Sequence, residues 1–351
     1  MKWFLLGSLA LSALILLIFF RSVSTMLLSL TVVITGVIWS FGILFLFGYK
    51  ITILTALIPP LIVVIGVPNW PSVEVTANVI KAVVEQNLGL TVELQTGTNP
   101  VIFEAMDKGT MQIHPEVWLP NQQSLVDSYP GKVVVTQHPA PALQGICANK
   151  AAMDAGFKDI SDLADPAKAA LLDSDGNGKG EVFIGVTGWG STTVERAKAH
   201  GYGYDAVVDL VELDESLAYA QLDTAIAAGK PWVGFCYTPH YLFALHPEMT
   251  LLTEPAYDAA AWKIVQPADD ADWLNKSNVA MAWPTVYIQP TYAATLKDSQ
   301  PLVAALLDNM DLSGDDLSAF TYAVVVDKKD AATTAADWIA ANGDRVSGWL
   351  K

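Results

Sequence analysis

The stretch ITILTALIPPLIVVIGVPNWPS, residues 51–72, decides how this chain is divided. Taken whole, residues 51–67 form an apolar run that approaches the ~20 residues of a membrane-spanning helix and would be kinked at Pro59-Pro60. Taken in two parts, the run stops at the prolines, and Leu61 to Val67, rich in Ile and Val, becomes a buried parallel strand. Strands covered on both faces read as such continuous apolar runs. On these residues alone both readings stand; a turn (Pro68-Asn69-Trp70-Pro71) and a stretch of helical spacing from Val73 to Asn87 follow at once.

Upstream, the chain has a different character. Lys2, Arg21 and Lys50 are the only charged residues before Glu74, so the first 73 residues carry +3, whereas the remainder sets 17 basic against 36 acidic residues. Residues 3–20 and 26–47 are uncharged and long enough to cross a bilayer, and Arg21 with Ser22, Ser24 and Thr25 makes the connection between them. A helical hairpin that anchors the chain is expected over residues 1–60, in preference to a signal peptide, since no A-x-A-like cleavage site follows. With Arg21 inside, the acidic part faces the periplasm or cell exterior, although Lys2 and Lys50 point the other way. The acidic part offers no basic footprint for nucleic acid.

Downstream of residue 61, short β-rich runs alternate with helical periods. Strands are expected at Leu61 to Val67, Leu90 to Leu94, Val133 to Thr136, Gly145 to Ala148, Val182 to Val186, Val207 to Leu213 and Trp232 to Tyr237. Helices are expected at Val73 to Asn87 and Ser216 to Ala228, the latter stopped by Gly229. Such alternation indicates α/β architecture with mostly parallel sheets. About 290 residues exceed one typical core, so two lobes are expected: 61–143 with 283–351, and 144–282. His138 to Gly145 and Ala282 to Gln289 are the expected crossings, and Trp338 and Trp349 the packing anchors of a helical C-terminal part.

Among eleven Trp and eleven Tyr, four aromatics stand in turns flanked by Gly, Pro or Asn: Trp70 in PNWPS, Trp118 in VWLPN, Trp189 in TGWGS and Tyr237 in CYTPH. In an open α/β sheet, the carboxyl ends of strands face the ligand crevice. Converging aromatic faces attract a quaternary or methylated ammonium, each contact contributing about 0.5–2 kcal/mol.

The stretches NWPSVEVTANVIKAVVEQNLG, GTMQIHPEVWLPNQ, LLDSDGNGKGEVFIGVTGWGSTTVERAKAHGYG, FCYTPHYLF and the terminal WIAANGDRVSGWLK resemble the periplasmic substrate-binding proteins of glycine betaine/proline betaine ABC importers, over nearly all of residues 64–351. The resemblance implies a type II periplasmic binding protein fold whose first strand precedes the NW turn. It also implies a ligand cage in which Trp118 and Trp189 are two walls and Tyr237 a third, with Trp70 available as a fourth. The ligand carboxylate would be held by backbone N–H groups at Gly190 and Ser191, at a helix N-terminus. Where such proteins often place a histidine, this chain has Gln122-Gln123. Glu116, on the same side of an extended segment as Trp118, would set an anion beside a cationic ligand, which turns the expectation toward choline or trimethylamine N-oxide. An ABC permease is the implied partner.

Residues 19–69 also resemble the transmembrane part of resistance-nodulation-division permeases, though without the intramembrane acids of a proton pathway. A fragment of such a transporter with an accessory soluble part, and a tethered osmolyte sensor, are therefore the competing readings. The run Asp173-Ser-Asp175-Gly-Asn177-Gly178-Lys-Gly-Glu181 matches the start of an EF-hand-like calcium loop, but position 12 is Ile184, so Glu181 would have to compensate. Cys147 and Cys236 either form one bridge or remain two buried thiols. No zinc-deaminase, nucleophile-elbow or P-loop constellation is present, and no catalysis is expected.

Overall fold

The structure is a computed structural model that describes residues 62–351, which form one compact unit. The spans expected at 3–20 and 26–47, their connection at Arg21 and residue Leu61 lie outside the described residues. Of the permease-like stretch, the described part, 62–69, is strand and turn. No helix among the described residues is long and apolar enough to cross a membrane.

Among the described residues there are ten strands: β1 (Ile62–Val67), β2 (Thr91–Thr96), β3 (Ile113–Leu119), β4 (Val133–Val135), β5 (Ala140–Ala148), β6 (Gly180–Gly185), β7 (Val208–Glu212), β8 (Val233–Thr238), β9 (Thr250–Leu251) and β10 (Val286–Ala293). The longer helices are α1 (Pro71–Leu88), α2 (Asn99–Asp107), α3 (Gly190–Tyr202), α4 (Glu215–Ala228), α5 (Pro301–Asn309), α6 (Gly314–Val325) and α7 (Ala331–Ala341). The strand order is β2-β1-β3-β10-β5-β8-β6-β7, with β4 on β10 and β9 on β5. β1 pairs in parallel with β2 and β3, and β6 in parallel with β7 and β8. The apolar run after Pro60 is thus a sheet strand, and Val63, Ile65 and Val67 along it are buried.

β5 joins the two parallel groups. Its first residues, Ala140 to Ala142, pair antiparallel with β10, and Leu143 to Ala148 pair antiparallel with β8. The stretch expected to be a polar crossing is therefore largely strand. The sheet is mixed rather than mostly parallel, because the strands that carry the chain between the two groups run against their neighbours.

β3 and β10 escape a reading by alternation. Each contains a proline, Pro115 and Pro290, which has no N–H to give a ladder, and the register between the two strands shifts between Gln289 and Thr291. Prolines are tolerated in sheets at such irregularities.

α1 begins with Pro71 at its first turn and ends at Gly89, whose φ of 67° is left-handed, the conformation that glycine adopts without penalty. Its buried face, including Val73, Val79, Ile80 and Val84, joins the core below the sheet, and α6 and α7 pack against it. Trp338 and Trp349 stack at 5.7 Å in the C-terminal helices, as expected of packing anchors. Cys147 and Cys236 form a disulfide between β5 and β8, with Cα atoms 5.8 Å apart and a sequence separation of 89. A bridge that closes such a loop stabilises by about 2–5 kcal/mol.

Candidate functional site

The parallel strands bring the four turn aromatics together. Trp70 follows β1 as the residue before α1, Trp118 is near the end of β3, Trp189 precedes α3 just beyond β6, and Tyr237 is near the end of β8. Because these strands share direction within each group, their carboxyl ends meet at one crevice.

The four rings form a closed box. Neighbouring rings lie 6.4 Å (Trp70–Trp118), 5.2 Å (Trp118–Tyr237), 5.9 Å (Tyr237–Trp189) and 6.3 Å (Trp189–Trp70) apart. Their planes cross at 87°, 88°, 81° and 86°, so each wall stands nearly perpendicular to the next. The cavity they line is small, about 30 Å³. Gln122, Gly190 and Ser191 also line it. The lining contains no Asp, Glu, Lys, Arg or His.

Polar groups are placed asymmetrically around this box. The N-terminus of α3 has no side-chain cap, so the first backbone N–H groups of that helix, at Gly190 and Ser191, remain open at the cavity. Gly190 is required by close approach: a Cβ there would stand 2.4 Å from the Asn121 carbonyl oxygen. The buried Trp118 Nε1 has no hydrogen-bond partner. Gln122 is already engaged, its Oε1 accepting from the Trp118 backbone N–H at 2.8 Å.

Four lining residues are missed by sequence reasoning: Asn99, Asn121, Gln144 and Phe235. Asn121 and Gln144 exchange two amide hydrogen bonds of 2.9 and 2.7 Å. Asn99 opens α2, and its Oδ1 lies 3.0 Å from His114 Nε2. Burial drives the His114 imidazole down to about 3, so it is neutral and donates to Asn99. Asn121 lies inside the VWLPN motif and Phe235 opens FCYTPHYLF; Asn99 and Gln144 carry no periodic or motif signal.

Two expected residues do not reach the cavity. Gln123 is exposed, and its amide donates to Asp127. Glu116 is 1 % exposed but sits behind Trp70, where it accepts hydrogen bonds from Trp70 Nε1 (2.7 Å), Ser72 Oγ (2.7 Å) and Thr76 Oγ1 (2.6 Å). It is held there by the donors that Trp70 and the start of α1 offer, with the Trp70 ring standing against Trp118 on the cavity side. Burial raises the Glu116 carboxyl above the usual carboxylate range, against the pull of those three hydrogen bonds.

In the acidic loop, oxygens of Asp173, Asp175 and Glu181 come within 4.8 Å of one another. Asn177 is turned aside, its amide donating to Asp175 and Asp209.

The profile of the family described as the substrate binding domain of the ABC-type glycine betaine transport system matches residues 62–341. A glycine betaine/proline betaine-binding periplasmic protein of Salmonella typhimurium is 23% identical over 221 residues, 60% of this chain and 64% of that protein, so the chain spans under two thirds of the curated relative's length. Among solved structures, an ABC-transporter choline binding protein in complex with choline is similar with a TM-score of 0.66 at 20% identity, over 82% of this chain and 91% of that one. A lactococcal OpuAC in its closed, glycine betaine-bound form has a TM-score of 0.65 at 19% identity, over 83% of this chain and 99% of that one. These likenesses identify the fold as that of a type II periplasmic binding protein.

Proposed function

The chain belongs to the family of substrate-binding domains of ABC-type glycine betaine transport systems, and from that premise we propose that it captures a small methylated-ammonium solute in the box of Trp70, Trp118, Trp189 and Tyr237 and delivers it to an ABC permease. The observation that carries this reading is the four-walled aromatic enclosure with perpendicular neighbours. A cation with its charge spread over methyl groups meets four ring faces there and loses little hydration on entry.

Glycine betaine is the favoured ligand. The cavity lining has no acidic side chain to pair with a net cation, but it does offer donors for a carboxylate. The ammonium end of glycine betaine suits the rings. Its carboxylate suits the open N-terminus of α3 at Gly190 and Ser191, where the helix dipole adds to the N–H donors. The uncommitted Trp118 Nε1 is a further donor. Glu116 stands behind Trp70 and does not line the cavity, so it offers a ligand no direct contact.

In this reading residues 61–143 with 283–351 form one lobe and 144–282 the other, and β5 and β10 are the hinge between them. Asn69 and Asn99 would hold the closed form, since the Trp189 indole donates to the Asn69 carbonyl and the Asn99 amide to the Gly188 carbonyl. Residues 1–60 would tether the domain to the membrane, with the cleft on the outer side.

Titration of the protein with glycine betaine, choline and trimethylamine N-oxide, followed by tryptophan fluorescence and calorimetry, tests the reading. Saturable quenching is expected, tightest for glycine betaine. No heat with any of the three would overturn it. Removing residues 1–60 is expected to leave the affinity unchanged in a soluble product.

A further inference from the structure

Opposite walls of the box share a feature that their neighbours lack. Trp70 donates Nε1–H to Glu116, and Tyr237, facing it across the box, donates its hydroxyl to Glu215 Oε1 at 2.7 Å. Both carboxylates are buried, and neither lines the cavity. Trp118 has no partner for its Nε1, and Trp189 has only the Asn69 carbonyl at 3.3 Å. The two acids differ in what else they meet. Glu215 stands in the first turn of α4 and has His240 Nε2 3.1 Å away. Glu116 meets only neutral donors.

We propose that Glu116 is a specificity-determining residue whose carboxylate fixes Trp70 from behind and supplies, through that wall, the negative charge for which the ligand's ammonium group is the counter-ion. The inference rests on the methylated-ammonium reading of the box and adds a discrimination to it: the cage prefers a cationic head over a neutral one of the same shape.

Among the described residues, the one group near Glu116 that can take up positive charge is the exposed His138. From α1 and the turn before it come Trp70, Ser72 and Thr76, all neutral donors. On its own strand, His114 is held neutral by burial. Across a small cavity between β3, β10 and the approach to α6, the titratable group is His138, with Gln289 and apolar side chains around it. Among the described residues no Lys or Arg contributes to its titration. A buried carboxylate is costly when uncompensated, and an ordered site that keeps one beside a cation-binding wall has that cost relieved when the cation arrives. Ligand binding then favours the ionised form of Glu116. The complex holds fewer protons than the free protein, and affinity for a permanent cation rises with pH through the titration of Glu116 in the free protein.

The test uses the full chain, glycine betaine, and its carbon isostere 3,3-dimethylbutanoate, which has the same shape without the ammonium charge. In Glu116→Gln the side-chain oxygen still accepts from Trp70 and Ser72, and the Thr76 hydroxyl turns to accept from the new amide, so the wall stays in place while the charge goes. Glycine betaine is expected to bind about tenfold more weakly to the variant, while the isostere binds as well as or better than to the parent. Equal weakening of both ligands would make Glu116 only a support for Trp70 and overturn the proposal, as would no change in either.

Should the variant fail to fold, calorimetry of the parent protein from pH 5 to 9, in buffers of different ionisation heat, decides instead. Net proton release on binding glycine betaine and an affinity that climbs with pH are expected. Constant affinity without proton release would overturn the inference. Absence of binding by any methylated amine would instead remove the cage reading beneath it.

Discussion

Two clusters of buried acid in this domain are compensated in different ways. Beneath α3, Glu195 and Glu254 share a buried lysine: Lys198 Nζ lies 2.7 Å from Glu254 and 3.8 Å from Glu195, with all three side chains at most 6% exposed. The Trp283 indole donates to Glu195 at 2.6 Å, its ring lies 5.5 Å from the ammonium, and the Tyr202 hydroxyl donates to Glu254 at 2.9 Å. Behind the aromatic box, Glu116 has only indole and hydroxyl donors. Away from the cavity the chain carries its own cation into the interior; behind Trp70, Glu116 meets neutral donors alone. Burial pushes Glu195 up to about 7 even with Lys198 beside it, a measure of how strongly this interior resists charge.

The comparison breaks most visibly if the lysine is removed. Lys198→Met leaves two buried carboxylates without their cation and is expected to cost about 3–5 kcal/mol in chemical denaturation at pH 8, less at pH 5 where a proton can replace the ammonium. Glycine betaine affinity of the folded fraction should persist, because Lys198 does not line the box. A loss below about 1 kcal/mol would mean that the ion pairs add nothing over a neutral cluster.

A smaller effect separates two tryptophans of the box. Trp70→Phe keeps an aromatic wall but deletes a donor to Glu116, and should lower stability by about 1–3 kcal/mol. Trp189→Phe removes only the 3.3 Å bond to the Asn69 carbonyl and should cost less than about 1 kcal/mol. Equal losses in thermal or urea unfolding would show that Glu116 does not depend on the indole it holds.

Glu195 supplies a pH-dependent contrast. Its folded-state value, about 7, lies above the ordinary 4.5, so between these the folded protein keeps a proton that the unfolded chain has released. The stability from this group is therefore complete below about 4.5 and is lost as pH rises through 7. In Glu195→Gln the Trp283 bond can remain, and the fall in melting temperature from pH 5 to pH 8 should shrink relative to the parent. An unchanged fall would place the titration elsewhere in the cluster.

What could be read beforehand divides along similar physical lines. The strand at Ile62–Val67, the α1 period and the four aromatics that meet in the box are legible because each leaves a local mark: a continuous Ile/Val run, a helical spacing, or a large ring between Gly, Pro and Asn. β3 and β10 are not, since Pro115 and Pro290 interrupt the alternation that marks a strand. Glu116 is legible as a residue of interest but not in its role, because its partner Trp70 is 46 residues away and only the β1–β3 pairing brings them together. Asn99 and Gln144 leave no mark, for a lone amide reads the same on a surface as in a cavity.

The acidic loop after residue 172 extends the contrast to exposed carboxylates and carries the smallest expected effect. Asp173 accepts the backbone N–H groups of Gly176 and Gly178, Asp175 accepts that of Asn177, and Glu181 accepts that of Ser174. Most of the negative charge in the turn is thus already met by peptide dipoles, much as a capped helix start is met. One buried oxygen, Glu181 Oε1, has no partner. A tight calcium loop needs six or more oxygens and a bidentate acid at its end, where this chain has Ile184. Adding calcium to chelated protein should therefore raise the melting temperature by no more than about 1 °C, with saturation only in the millimolar range. A rise of several degrees at micromolar calcium would show that the backbone hydrogen bonds yield to the ion, and that exposed acids here, like Glu116 inside, wait for an external cation.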